Sequence, residues 1–155
     1  MKVSLHLFHR DLRLDDNTAL LAAQQQSDTV IPCFIFEPKQ VEKNSYKSLA
    51  GIACMKESLH EVHTALQTYG SELFYFYGDT VTVLERIIQD QHVEAVFFNR
   101  DYTPFSRARD EAIQALCKKL HIACFIFDDA LLTTPEQVYT GAKKPYTIFT
   151  PFYTT

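Results

Sequence analysis

Apolar residues in this chain gather into five short blocks, and between the blocks they recur every three or four positions. The blocks are VSLHLF (3–8), TVIPCFIF (29–36), ELFYFY (72–77), EAVFFN (94–99) and HIACFIF (121–127). Each has the length of a strand and is apolar almost throughout instead of alternating. That is the pattern of a strand buried on both faces. The intervening stretches 17–26, 45–70, 78–92 and 103–120 carry helical spacing. In 45–70 the repeat runs through Leu49, Ile52, Ala53, Leu59, Val62, Leu66 and Tyr69. Short polar side chains stand where helix starts need an acceptor: Asp16 or Asn17, Asp79, and Thr103 ahead of Pro104. Gly70 is placed to end the long helix. Pro32 suggests that its strand starts there or lies at an edge. The tail after Asp128 is irregular, with one short helical pattern at 135–139.

Five strands alternating with helices predict an α/β domain. Its expected form is a five-stranded parallel, doubly wound (Rossmann-like) sheet in three layers, α/β/α. Ligands of such sheets sit beyond the carboxyl ends of the strands. The candidate loops are therefore 9–16, 37–44, 78–79, 99–103 and 128–134.

Composition narrows the classes. The 155 residues are 46% apolar, enough for one compact domain with a core. A net charge of −4 argues against a broad basic face for nucleic acid. No apolar run approaches the roughly 20 residues of a membrane helix. MKVSLHLFHRD turns charged too soon for a signal peptide. A cytoplasmic protein with no membrane partner is expected. Four cysteines (Cys33, Cys54, Cys117, Cys124) form no C-x-x-C pair and read as reduced, buried small hydrophobes.

The chemistry is sparse. With four glycines the chain has neither G-x-G-x-x-G nor a phosphate-loop lysine motif. His60 and His63, with Glu57 and Glu61 nearby, offer only two converging ligands and read as a solvent-facing stripe, so no metal site is expected. No Ser/His/Asp or Cys/His set stands out, and no catalytic residue is nominated. What remains is two charged loops, HRDLRLDD and NRDYTP, both following strands at one end of the sheet. Backed by Phe8, Phe34, Phe36, Tyr102 and Phe105, they suit a planar aromatic ligand with polar edges. The competing reading is a set of ion pairs that only fixes the loops.

The same loops carry a resemblance that spans the chain. Asp11, Leu12, Arg13, Asp16 and Asn17 match the opening motif of the DNA photolyase/cryptochrome family. Asn99, Asp101, Pro104, Arg107, Arg109 and Asp110 match its loop after the fourth strand. Thr140, Gly141, Pro145, Tyr146, Phe149, Thr150, Pro151 and Phe152 match the segment that leads out of its N-terminal domain. The chain resembles that N-terminal α/β domain, with residues 1–130 as the domain and 131–155 as the start of the exit segment.

The resemblance implies a deoxyribodipyrimidine photolyase. This is a blue-light-driven flavoenzyme that binds ultraviolet-damaged DNA and splits pyrimidine dimers with an electron from reduced FAD. The FAD and the lesion belong to a helical C-terminal domain outside this chain. The expectation is an excised domain, inactive alone, in preference to a naturally short homologue. The N-terminal domain in many members holds an antenna pigment: a deazaflavin, a flavin or methenyltetrahydrofolate. Its pocket would be lined here by Phe8, His9, Arg10, Phe34, Phe36, Asp101, Tyr102, Thr103 and Phe105. An empty pocket is the other reading.

Departures bear on the pigment. Leu7 replaces the family tryptophan, and His9 stands at the following arginine. Phe105-Ser106 replaces the Asn-Glu of folate binders. Thr103 stands where deazaflavin binders are acidic, and Ala50-Gly51 where they have arginine. Asp101 favours a flavin or deazaflavin. A cryptochrome photoreceptor and a stand-alone nucleotide-binding module are the alternatives.

Overall fold

The computed structural model describes residues 1–42, 47–131 and 137–154. In chain order the elements are β1 (Val3–Phe8), α1 (Thr18–Gln26), β2 (Thr29–Phe36), α2 (Pro38–Val41), α3 (Leu49–Thr68), β3 (Phe74–Tyr77), α4 (Thr80–Asp90), β4 (Ala95–Asn99), α5 (Pro104–Lys119), β5 (Ala123–Phe127) and α6 (Phe149–Tyr153). All strand pairs are parallel, and the sheet order is β3-β2-β1-β4-β5. The expected five-stranded doubly wound sheet is therefore present. The order reverses between β1 and β4, which opens a crevice above their carboxyl ends.

Successive strand side chains point to opposite faces, and the core divides accordingly. Leu5, Leu7, Cys33, Ile35, Val96 and Phe98 pack against Leu84, Ile87 and Ile88 of α4 and Ile113, Leu116 and Cys117 of α5. On the other face, Phe8 and Phe34 meet Leu20 of α1 and Leu59, Val62 and Leu66 of α3. Ala95 and Phe97 meet Ala19 and Ala23. Small side chains at these last contacts let α1 lie close to the sheet.

The caps follow the local chemistry. Asn17, and not Asp16, caps α1; its side chain accepts from the N–H of Leu20. Asp79 caps α4 and Thr103 caps α5. α3 ends as Gly70 enters the left-handed region at φ 72°. The N–H of Gly70 bonds Gln67 O and that of Ser71 bonds Leu66 O, the paired closure of a Schellman motif.

Several expectations need correction. Helix α3 begins at Leu49, because Ser48 supplies the cap; residues 45 and 46 lie outside the described set. Its terminal apolar residues, Leu49 at 78% and Tyr69 at 79% exposure, do not join the core. Cys54, on the same uncovered first half, is exposed and not buried. β2 is an interior strand, so Pro32 is not at a sheet edge. However, β3 pairs with β2 only from Cys33 onward, and at Pro32 the strand has β1 alone beside it. Of the helical pattern at 135–139, residues 135 and 136 lie outside the described set and 137–139 are not helical. The short helices α2 and α6 were not expected. Among the described residues no helix is long and apolar enough to cross a membrane.

Candidate functional site

The loop after β1 is tied down before it reaches any ligand. Asp11 accepts from the N–H of His9 at 2.8 Å through one oxygen. Its other oxygen accepts from Asn99 Nδ2 at 2.6 Å and Asn17 Nδ2 at 3.1 Å. Asn99 Oδ1 accepts from the N–H of Ala19 at 3.1 Å. Three short polar side chains thus join the β1 loop, the first turn of α1 and the end of β4. Arg13 pairs with Asp16 and reaches Asp129 at 2.7 Å, which also accepts from the N–H and hydroxyl of Thr18. Burial alone would raise the Asp129 carboxyl, but the Thr18 donors and the Arg13 guanidinium hold it below its usual range. Arg13 fixes the loop by ion pairs, as expected, whereas Asp11 fixes it by hydrogen bonds to a backbone N–H and two side-chain amides instead of by an ion pair.

Beside this knot lies a cleft of about 700 Å³, bounded by the β1 and β4 loops, α2 and the start of α3. Its volume falls in the usual range for small-molecule sites. Phe8, Phe34, Phe105, Ile52 and Met55 supply apolar wall, and Arg10, Lys39, Lys47 and Arg109 are its cations. Arg10 is 76% exposed and stands 3.7 Å from Asp101. Asp101 accepts from Ser106 Oγ at 2.8 Å and from the N–H of Tyr102 at 2.7 Å.

At the back, Arg109 Nη2 lies 3.0 Å from His9 Nδ1. Nδ1 also lies 3.3 Å from the Asn99 carbonyl oxygen, and Nε2 has no partner among the described residues. A guanidinium only donates and a carbonyl only accepts, so Nδ1 serves one of these two neighbours in either tautomer. Burial and the Arg109 charge push His9 down to about 3, so the ring is neutral. Asp110, which takes both Arg109 bonds on Oδ1, is raised by burial, partly offset by that guanidinium.

Of the nine residues expected to line the pocket, Phe8, His9, Arg10, Phe34, Asp101, Thr103 and Phe105 meet in this cleft. Tyr102 faces a neighbouring cleft of about 480 Å³ with Arg13, Arg100 and Asp129. Phe36 follows Phe34 by one pleat and lies beyond the cleft, in a depression with Leu59, His63 and Tyr75. Glu37, Thr80, Ser106 and Arg109 line the cleft without having been singled out for it. Loops 37–44 and 78–79 were candidates by position, but no residue within them signalled a role. The wall given by α3 depends on how that helix crosses the sheet, which spacing does not encode. His63 contacts Leu73 O and Gln67 and stacks on Tyr75; among the described residues no metal-ligand cluster forms.

The comparisons with known proteins bear on what this cleft belongs to. The family model for DNA photolyase matches residues 4–155. The chain belongs to the DNA photolyase family. Its fold is that of the photolyase N-terminal α/β domain. The archaeal photolyase from Sulfolobus tokodaii superposes with a TM-score of 0.89 at 38% identity, over 98% of this chain and 34% of that one. That structure was solved with two FAD molecules, implying a novel light-harvesting cofactor. A deoxyribodipyrimidine photo-lyase of Synechococcus sp. is 34% identical over 93% of this chain and 30% of its own length. Cryptochrome-1 of Aedes aegypti is 31% identical over 90% of this chain and 27% of its own. The chain spans about a third of the length of these photolyase relatives.

Proposed function

We propose that this chain is the antenna-chromophore domain of a deoxyribodipyrimidine photolyase and that the 700 Å³ cleft holds the pigment. The observation that carries the reading is the cleft itself, aromatic-walled and polar-edged, at the β1/β4 switch point of a family member. Residues 131–155 lead toward a helical domain that binds FAD and ultraviolet-damaged DNA. Reduced FAD there supplies the electron that splits the dimer, and a pigment in the cleft supplies excitation energy.

The residues present fit a planar tricyclic ring between Phe8, Phe34 and Phe105, with Asp101 and Arg10 at its polar edges. A flavin agrees with the Sulfolobus tokodaii structure. Gly51 brings no side chain to the cleft, and Phe105-Ser106 brings no carboxylate, so the donor sets of deazaflavin and folate binders are incomplete.

The test is on the protein joined to its natural downstream sequence. Purified material should show bound FAD and light-dependent dimer cleavage, and a folded product that never takes up FAD would overturn the reading. In the same protein Asp101→Ala should lower antenna occupancy about tenfold, while repair at saturating light stays nearly unchanged. Cryptochrome relatives of similar identity support a second reading as a photoreceptor; absence of repair with FAD bound would favour it.

A further inference from the structure

Glu37, the residue after β2, is only 7% exposed, and Thr80 beside it is 4% exposed. Both line the cleft. Thr80 Oγ1 donates to Glu37 Oε2 at 2.6 Å. Glu37 occupies the N-cap position of α2, yet its side chain caps nothing there. No other described residue donates to its carboxylate. A carboxylate has about four acceptor sites, and Glu37 Oε1, which is not among the fully buried unpartnered atoms, keeps access to the cleft. The cleft therefore holds acceptor capacity that the protein itself does not use.

We propose that Glu37, held by Thr80, determines ligand specificity in the cleft: it admits a neutral planar ligand that presents an N–H or O–H donor and rejects one that presents an anionic edge. The donor comes either from a ring imide or from a polyol side chain; the chemistry at Glu37 is the same. Rejection follows from placing like charge against a shielded carboxylate. The inference rests on the cleft being the pigment site.

The test is a fluorescence and absorbance titration with four probes: lumiflavin, 3-methyllumiflavin, riboflavin and ionised 8-hydroxy-5-deazariboflavin. If the imide is the donor, methylation at N3 weakens binding to wild type by about ten- to a hundredfold. If the polyol is the donor, riboflavin exceeds lumiflavin by a similar factor and methylation is silent. In Glu37→Leu that preference should vanish. In Glu37→Gln the ionised deazaflavin should gain about tenfold relative to riboflavin, which carries the same polyol. Glu37→Gln keeps the side-chain shape and a partner for Thr80, and it carries the test should Glu37→Leu fail to fold. Probes that bind with the same preferences in wild type and variants would overturn the role of Glu37 alone. Failure of every probe to bind folded wild type would overturn the pigment site together with it.

Discussion

His6 stands in the middle of β1 with no exposure, and neither ring nitrogen has a partner among the described residues. Its nearest aromatic contact is an edge-on approach to Phe8 at 4.4 Å. Burial lowers it to about 4, against the partial opposition of Asp11 and Asp129. The unfolded chain binds this proton near pH 6.5, so the folded state is favoured fully above that value and loses stability as pH falls toward 4. Each pKa unit is worth about 1.4 kcal/mol, so His6 accounts for on the order of 2–3 kcal/mol by about pH 4.5. Urea unfolding at about pH 7 and 4.5 should show that loss in wild type and a clearly smaller one in His6→Leu. Equal losses would remove His6 as the cause. His9 titrates in the same direction and adds to the acid sensitivity of both proteins.

At the scale of elements, the helix ends explain where sequence and structure part. Helix α4 closes with His92 in the left-handed region at φ 51°, and α5 closes with His121 at φ 57°. In each, the next N–H returns to the carbonyl five residues earlier: Val93 to Ile88 and Ile122 to Cys117. The apolar block at 121–127 looks like a strand from its first residue, but His121 and Ile122 are spent on ending α5. Histidine bears a Cβ cost in this conformation that glycine does not. His92→Gly should therefore raise stability by roughly 1 kcal/mol in chemical denaturation; a decrease would show that the side chain contributes more than its backbone costs. The strands were legible because burial on both faces writes itself as an unbroken apolar run. The cleft was legible where it is built from loops that follow strands, as with His9 and Asp101. It was not legible at Glu37 and Thr80, whose pairing across 43 positions depends on the β2–β3 register.

Across the whole molecule, one carboxylate links distant parts of the chain. Asp129, after β5, binds Arg13 and Thr18, 116 and 111 positions away. Its side chain is 3% exposed, although Arg13 is 40% exposed. Asp129→Asn should cost about 2 kcal/mol, read as a lower midpoint in denaturant with an unchanged slope. Its depressed carboxyl also means that the tie holds above the ordinary carboxylate range and is released as pH falls through the lowered value. An unchanged midpoint would show that α1 and the β5 exit are held by packing alone.

The Asp11–Asn17–Asn99 knot holds position 9 through its backbone N–H, and the His9 ring adds one contact of its own, Nδ1 to the Asn99 carbonyl oxygen at 3.3 Å. The loop's path therefore rests mainly on main-chain and short polar contacts, and only in part on the side chain that stands there. Scaffold and ligand preference are thus only partly separable: an exchange at position 9 alters the cleft and also one tie to the end of β4.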